Sequence, residues 1–525
     1  DINSHPHISN CNKFSLVHNG IIENYKLLSE NLEKNGYIMK SQTDSEVIVN
    51  LLSFYYKKYN IVEHALLEVI KLLEGTWGIV ILCTDQPNKL YCTRNGSPLL
   101  IGSDNEKCII TSEQSGFCNL INNYFALLNN DICTIFNNNG NIEVDTNNKY
   151  KLNKVLQNKN ALSPSPYKHW MIKEIYDQEN SCLHAIKLGS RLMKNNTVKL
   201  GGLYEKKNEL ENIDNIILLG CGTSYNAGSM TVYYFKYLCK FNSVQVIDGA
   251  DFNILDVPKK GKTCLILLSQ SGETKDLHRC IKIAKEYQLY TIGVINVVDS
   301  LIAREVDCGC YLHAGREVSV ASTKSYTSMI IVLVMISIWF SQTYYPHDNI
   351  KKRSHIIKDL NNISSDIKTV LKCRTNIKNI LHLFNNKHSC FILGKGRGES
   401  VAKEAALKIK EISYIHAEGY STSSLKHGPF ALLEQNFPVI ILSPDDEHLS
   451  KSNNAIEEVK SRHAKVIKIT NKEDNDPNTI VVPYNKTFNH LLMIVPLQIL
   501  AYELSIVRGY NPDMPRNLAK VVTVE

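Results

Sequence analysis

Residues 214–224 read DNIILLGCGTS and residues 263–274 read TCLILLSQSGET, two apolar runs that each end on a turn of glycine and serine. Runs that are apolar without alternation belong to strands buried on both faces, the pattern of a parallel sheet covered by helices. The second half of the chain repeats the arrangement in SCFILGKGRGES at 389–400 and FPVIILSPDDE at 437–447. Gly220 and Ser269 are 49 positions apart, and Gly394 and Ser443 are again 49 apart. A third strand follows in each half, YTIGVIN from Tyr290 and AKVIKIT from Ala464. The fold class is therefore α/β, with two tandem doubly wound parallel-sheet domains of one kind. Ligands of such sheets bind beyond the carboxyl ends of the strands, where the Gly/Ser turns fall.

The turn in the second half leads into a helix expected from about Glu399 to Ile415. Ala402, Ala405, Ala406, Ile409 and Ile412 recur at helical spacing and form its apolar stripe. Glu404, Lys408 and Glu411 are four and three apart and share the other side. His427 follows Glu411 by 16 positions, in the turn Lys426-His427-Gly428-Pro429. Carboxylate, amine and imidazole together are the groups that proton transfer at a carbonyl sugar requires. Taken alone, the charged side favours a solvated face with ordinary Glu–Lys pairs.

Ser269-Gln270-Ser271-Gly272-Glu273-Thr274 leaves a strand and opens a helix, so its hydroxyls and backbone N–H groups suit a phosphate. The loop is neither a Walker A motif nor G-x-G-x-x-G. Its alternative is a plain helix cap. Gly220-Cys221-Gly222-Thr223-Ser224 is a similar turn whose spacing does not complete a dinucleotide fingerprint, which disfavours a nicotinamide cofactor. A third loop, Val320-Ala321-Ser322-Thr323-Lys324, enters an apolar helix.

A length of 525 residues exceeds one core and implies two to four domains. The net charge of +7 is spread along the chain and gives no argument for nucleic acid. The fifteen cysteines include no C-x-x-C pair, which fits reduced thiols in the cytoplasm. Cys308-Gly-Cys310 is a weak metal signal, and neither a metal nor a cofactor is expected. The apolar run Met329–Phe340 is only 12 residues long and suits a buried helix rather than a membrane span.

Residues 1–145 alternate short strands and helices. Asn19-Gly20 reads as a turn pair after the strand Phe14–His18, and Asp44 as the N-cap of a helix from Ser45 to Tyr59. The Asn-rich stretch Asn137–Asn160, with Ser163-Pro164-Ser165-Pro166 after it, reads as a linker. The expected domains are 1–145, a linker over 146–168, then 169–365 and 366–510, and a tail 511–525.

CGTSYNAG, LSQSGET, EVSVASTK, ALKIKEISYIHAEGY, LKHGPFAL and the terminal MPRNLAKVVTVE resemble, in order, the glutamine–fructose-6-phosphate amidotransferases (glucosamine-6-phosphate synthases). The earlier HPH, VHNGIIEN and SQTDSEV segments do so too, and the resemblance runs from end to end. It implies two sugar-isomerase (SIS) domains preceded by a partial αββα N-terminal-nucleophile glutaminase domain. It also implies fructose 6-phosphate with glutamine or ammonia as substrates, and a homodimer or higher homo-oligomer without nucleic acid or membrane partners. By the same resemblance Ser269, Gln270, Ser271 and Thr274 hold the sugar phosphate, and Thr223, Ser224 and Ser322 contact the sugar chain. Lys520 forms a Schiff base with the ketone carbon. Glu411 moves a proton between the first two carbons with help from Lys408, and His427, supplied by the partner subunit, opens the ring. His5 and Asp44 match glutamine-contacting positions, and Asn19 with Gly20 an oxyanion hole.

Two departures stand out. Thr422-Ser423-Ser424-Leu425-Lys426-His427-Gly428 replaces the family's AGELKHG, and Val521 replaces a serine after the tail lysine. The family's nucleophile is a cysteine at the mature N-terminus, whereas residue 1 here is Asp and Cys11 lies in a polar run. The expectation is a chain truncated within its glutaminase domain that does not itself hydrolyse glutamine. The competing reading is a non-enzymatic SIS protein that senses a sugar phosphate. Such a module has no use for Glu411, His427 and Lys520 together. A simple sugar-phosphate isomerase or deglycating enzyme would not need residues 1–145.

Overall fold

The computed structural model describes residues 2–112, 114–118, 120–138, 140–155, 163–193, 195–298 and 300–520. Contacts gather into two units, one drawn from Asp1–Lys159 and the other from Asn160–Val298 and Ile302–Val522.

In the first unit Phe14–Ile22, Gly75–Cys83 and Lys89–Asn95 are neighbours in a six-stranded antiparallel sheet. Period-two alternation sends Trp77, Ile79 and Ile81 to one face. There they join Val47, Ile48, Leu51 and Leu52 of the helix Asp44–Tyr59 in one core. A four-stranded sheet built around Leu100–Ser103 packs on the other face through Ile101, Phe125, Cys92 and Ile135. The layers are thus helix, sheet and sheet. The second helical layer of the implied αββα order is represented, among the described residues, only by the short 3-10 turn Gln114–Phe117.

Three local expectations are corrected here. Asn19 and Gly20 lie inside a strand, opposite Gly78 and Trp77, and form no turn. Gly20 is glycine for a close approach: at φ +146°, a Cβ would meet the Thr76 carbonyl oxygen at 2.2 Å. Thr43, not Asp44, is the N-cap, its hydroxyl accepting from the Glu46 N–H at 3.4 Å. Part of the expected linker is sheet, because Ile132–Asn138 pairs with Asn141–Thr146 and Asn153–Lys154 pairs with Asn123–Ala126. NIEVDT at 141–146 alternates, and Ile142 and Val144 touch the core, a pattern that the surrounding asparagines mask. Residues 156–162 of the linker expected over 146–168 lie outside the described residues.

The second unit carries two five-stranded sheets, parallel throughout and built in the same order. One runs Ser243–Asp248, Ile213–Gly220, Lys262–Ser269, Tyr290–Ile295, Cys308–Tyr311. The other runs His416–Ser421, Ser389–Gly394, Pro438–Leu442, Lys465–Thr470, Thr479–Val481. In each, the chain reverses direction of winding between its first strand and the third, which places a ligand crevice at the ends of those two strands. A continuous core spans both halves and includes the helices Lys324–Tyr344 and Asn489–Val507. Both are long and apolar enough to cross a membrane, but 89% of each apolar window is buried inside the protein, as core helices require. The helix Ile350–Val370 runs straight across the boundary expected at 365/366.

Candidate active site

The helix expected over Glu399–Ile415 is observed over Arg397–Ser413. Its apolar stripe is buried as expected, and so is its charged side: Glu404 and Lys408 are wholly buried and only Glu411 retains some exposure. The solvated-face reading therefore fails, because this side faces the helix Thr223–Leu238 instead of water. The Lys408 ammonium donates to Glu411 Oε2 at 2.6 Å and to Thr223 Oγ1 at 3.0 Å, and stands 3.5 Å from Glu404 Oε1. Glu404 accepts from the Thr223 hydroxyl at 3.1 Å and from Asn226 Nδ2 at 2.9 Å. Burial disfavours the Lys408 charge, but Glu411 and Glu404 outweigh it and hold its pKa above the ordinary value. Burial, with Glu411's charge adding to it, pushes Glu404 up to about 7 against the pull of Lys408.

Thr223 starts its helix at the end of Ile213–Gly220, and the phosphate loop starts at the end of the adjacent parallel strand Lys262–Ser269. Both loops thus open at one sheet edge. Ser269 Oγ accepts from the Gly272 N–H at 2.9 Å and shares a bond with Thr274 Oγ1 at 3.0 Å. Ser271 Oγ accepts from the Glu273 N–H at 3.1 Å. The Ser271 hydroxyl proton and one of the two on Ser269 and Thr274 remain available to an anion, and the Thr274 side chain makes no capping bond to its helix. Gln270 and Ser224 are half-buried beside these turns.

Beside the third loop lies a second ion pair, a buried Glu317 with a half-buried Lys520. Lys520 Nζ donates to Glu317 Oε2 at 2.8 Å and lies 3.5 Å from Ser322 Oγ. Glu317 also accepts from the Thr323 N–H at 2.9 Å and the Ser325 hydroxyl at 2.8 Å. Burial opposes its ionisation, but Lys520 and these hydrogen bonds outweigh burial and hold its pKa down to about 2. Lys408 feels the charge of Glu317, so the two clusters adjoin. Glu174, pushed up to about 8 by burial and then by Glu317, accepts from the Val318 N–H beside them. Glu317, Glu174 and Asn226 escaped the sequence reading. Glu317 heads the EVSVASTK segment, the only signal it left.

His427 is not brought to this group. It is exposed on the 3-10 turn Leu425–His427, and its side chain has no hydrogen bond or ion pair among the described residues. Ser423 of the departing loop accepts from Lys395 Nζ at 2.7 Å. Val521 lies outside the described residues. The Cys308 and Cys310 thiols are pushed up by burial to about 12 and about 11, and no group of three or more metal-binding side chains occurs among the described residues.

In the first unit the glutamine-matching residues converge around Ser45, whose hydroxyl is 3.1 Å from His5 Nε2 and 3.0 Å from His18 Nδ1. Asp44 Oδ2 accepts from the Ile22 N–H at 2.7 Å, on the strand that carries Asn19 and Gly20. His18 was missed, being read only as the end of an apolar strand. Cys11 is elsewhere, bonded to Ser53 and Ser9 at 3.1 and 3.3 Å.

Comparison with known proteins agrees with this division. The SIS domain family matches residues 209–338 and 383–508, and a glutamine amidotransferase domain family matches residues 2–119. A probable glutamine–fructose-6-phosphate aminotransferase (isomerizing) of Acanthamoeba polyphaga mimivirus is 46% identical over all of this chain and 85% of its own length. The glutamine–fructose-6-phosphate aminotransferase (isomerizing) of Bacteroides thetaiotaomicron is 34% identical over all of this chain and 86% of its own. Among solved structures, the C-terminal domain of glucosamine-fructose-6-phosphate aminotransferase from Francisella tularensis is 30% identical, with a TM-score of 0.63, over 68% of this chain and 100% of that one. The chain belongs to the glutamine–fructose-6-phosphate aminotransferase (isomerizing) family.

Proposed function

We propose that the Thr223–Glu404–Lys408–Glu411 cluster, the Ser269–Thr274 loop and the Lys520–Glu317 pair form one site that converts fructose 6-phosphate and ammonia to glucosamine 6-phosphate. The observation that carries this is the buried Lys408 ammonium bonded to Glu411 at 2.6 Å in the crevice of a parallel sheet. Ser269, Gln270, Ser271 and Thr274 hold the phosphate, and Thr223, Ser224 and Ser322 the sugar chain. Lys520 adds its amine to the open-chain ketone at C2 and water leaves, giving the imine. Ammonia then adds at C2 and the Lys520 amine leaves, so that the imine nitrogen is now ammonia's. Glu411 takes a proton from C1 and returns it at C2, while Lys408 steadies the neighbouring oxygen. An ammonium is not a nucleophile, so Lys520 must first hand its proton away from the pair with Glu317.

Exposed His427 serves as ring-opening acid–base only in the site of a second copy, which supports a homodimer or larger homo-oligomer. An order of glutaminase domain, two SIS domains and a lysine-bearing tail, together with a cytoplasmic setting, belongs to the same proposal, the latter supported by fifteen free cysteines. His5 and Asp44 contact glutamine in the first unit, and Asn19 with Gly20 form its oxyanion hole. Cys11 is engaged by Ser9 and Ser53 and not by this group, which supports the narrower proposal that the 525 residues alone release no glutamate from glutamine. Incubation of the purified chain with fructose 6-phosphate and ammonium should yield glucosamine 6-phosphate, and with glutamine no glutamate. No product with ammonium from a folded chain would favour a sugar-phosphate sensor. Glutamate release would mean that a nucleophile is present after all.

A further inference from the structure

The first cleft is built twice. Arg397 follows Thr223 by 174 positions, and Lys408 follows Tyr234 by the same 174 (397 − 223 and 408 − 234). Lys408 Nζ donates to Thr223 Oγ1 at 3.0 Å, and in the counterpart contact Arg397 Nη1 donates to Tyr234 OH at 2.8 Å. Gly222 and Gly396, which precede the two helices, share one unusual backbone conformation, φ +53° and ψ −121° against φ +56° and ψ −123°. The helices Thr223–Leu238 and Arg397–Ser413 therefore exchange one contact twice, as halves of a duplicated unit do. The first copy is the candidate active site. The second opens into a cavity of about 450 Å³ that no step above uses.

Its chemistry is changed throughout. Tyr234 and Tyr237 stand where Lys408 and Glu411 stand in the first copy, so no lysine–glutamate pair is left to move a proton. Asp445 and Asp446 occupy the positions of Ser271 and Gly272, so this loop repels a phosphate and attracts a cation. The Asp446 side chain is 10% exposed; Oδ1 accepts from the His448 N–H at 2.8 Å, while Oδ2 has no hydrogen bond. His490 Nε2 stands 3.5 Å from Oδ2, but burial above all keeps that imidazole neutral, and Arg397 on the same wall acts on the carboxylate by its charge without a hydrogen bond to Oδ2. The same cavity is lined by Lys351, Lys352 and Lys486, and Tyr233 and Tyr237 stack at 5.3 Å on its wall. A buried carboxylate oxygen without a hydrogen bond, lysines, and aromatic rings call for a small ligand with a charge of each sign and a body that rests on rings.

We propose that this cavity binds an amino sugar phosphate, its ammonium on Asp446 and its phosphate on Lys351, Lys352 and Lys486, without turning it over. The proposal rests on the reading of the first cleft as a sugar-phosphate site, since it makes the second a copy retained for binding. Calorimetric titration of the full 525-residue chain with glucosamine 6-phosphate tests it and should give two sites per chain. Lys351→Glu with Lys486→Glu, both exposed, should weaken one of them at least about tenfold, the worth of one lost charged hydrogen bond. Asp446→Asn should weaken the same site for glucosamine 6-phosphate and leave N-acetylglucosamine 6-phosphate, which has no ammonium, unchanged. Ser271→Ala with Thr274→Ala should remove only the other site. One site per chain in the unaltered protein, or a second site indifferent to Lys351, Lys486 and Asp446, overturns the proposal. Two sites that both survive Ser271→Ala with Thr274→Ala would instead overturn the reading of the first cleft and leave this one standing.

Discussion

Glu404 and Glu317 are both without exposure and both stand beside a lysine, yet one is pushed up to about 7 and the other held down to about 2. Burial pushes each carboxylate the same way, so the neighbours make the difference. Glu317 takes a direct ammonium at 2.8 Å, a backbone N–H and a hydroxyl, which together satisfy the charged form. Glu404 has its ammonium at 3.5 Å, shared with Glu411, and Glu411 adds like charge. Two carboxylates around one lysine hold a proton that can move. One carboxylate fully bonded to one lysine holds a fixed charge. The first arrangement suits proton transfer, and the second suits parking an amine until substrate arrives.

The largest effect is expected at the mobile cluster. Glu411→Gln keeps the shape and removes the base, so isomerisation should fall by about 10²–10⁴-fold while calorimetry still shows sugar phosphate binding. Equal loss of binding and rate would make Glu411 a structural residue and erase the contrast. Glu317→Gln probes the fixed pair. It should speed borohydride trapping of fructose 6-phosphate severalfold at a fixed pH, because the Lys520 ammonium is no longer held at 2.8 Å by a carboxylate. An unchanged trapping rate would show that Glu317 does not hold the amine.

A smaller effect is expected in stability. Glu404 rises from an ordinary 4.5 to about 7, so the folded state binds its proton more tightly. That contribution is present below pH 4.5 and is lost as pH rises through 7. Glu317 falls from 4.5 to about 2, so its contribution is present above pH 4.5 and is lost as pH falls through 2. Thermal melts against pH should therefore show Glu404→Gln flattening the slope between 4.5 and 7, and Glu317→Gln flattening the slope below 4.5. Parallel curves for either variant and the unaltered chain would remove that carboxylate from the comparison.

The repeat of strand and Gly/Ser turn at 49-residue spacing made both parallel sheets legible, because strands buried on both faces need unbroken apolar runs. The edge strand Asn141–Thr146 was not, since one-sided contact asks only for Ile142 and Val144 among polar neighbours. Glu404, Lys408 and Glu411 were legible as one helix side, but their burial was not. Periodicity says which residues share a face and not what covers it, and the cover here is Thr223 and Asn226, some 180 residues away. Glu317 was hidden for the same reason, since its partner Lys520 comes from the far end of the chain.

The most direct test of the central claim is where the sugar becomes attached. Fructose 6-phosphate should be incubated with the chain, reduced with borohydride, and the modified lysine located by peptide mass spectrometry. The account predicts one adduct, on Lys520, that is absent in Lys520→Arg because a guanidinium stays protonated and forms no imine. An adduct on another lysine, or one that persists in Lys520→Arg, would contradict it.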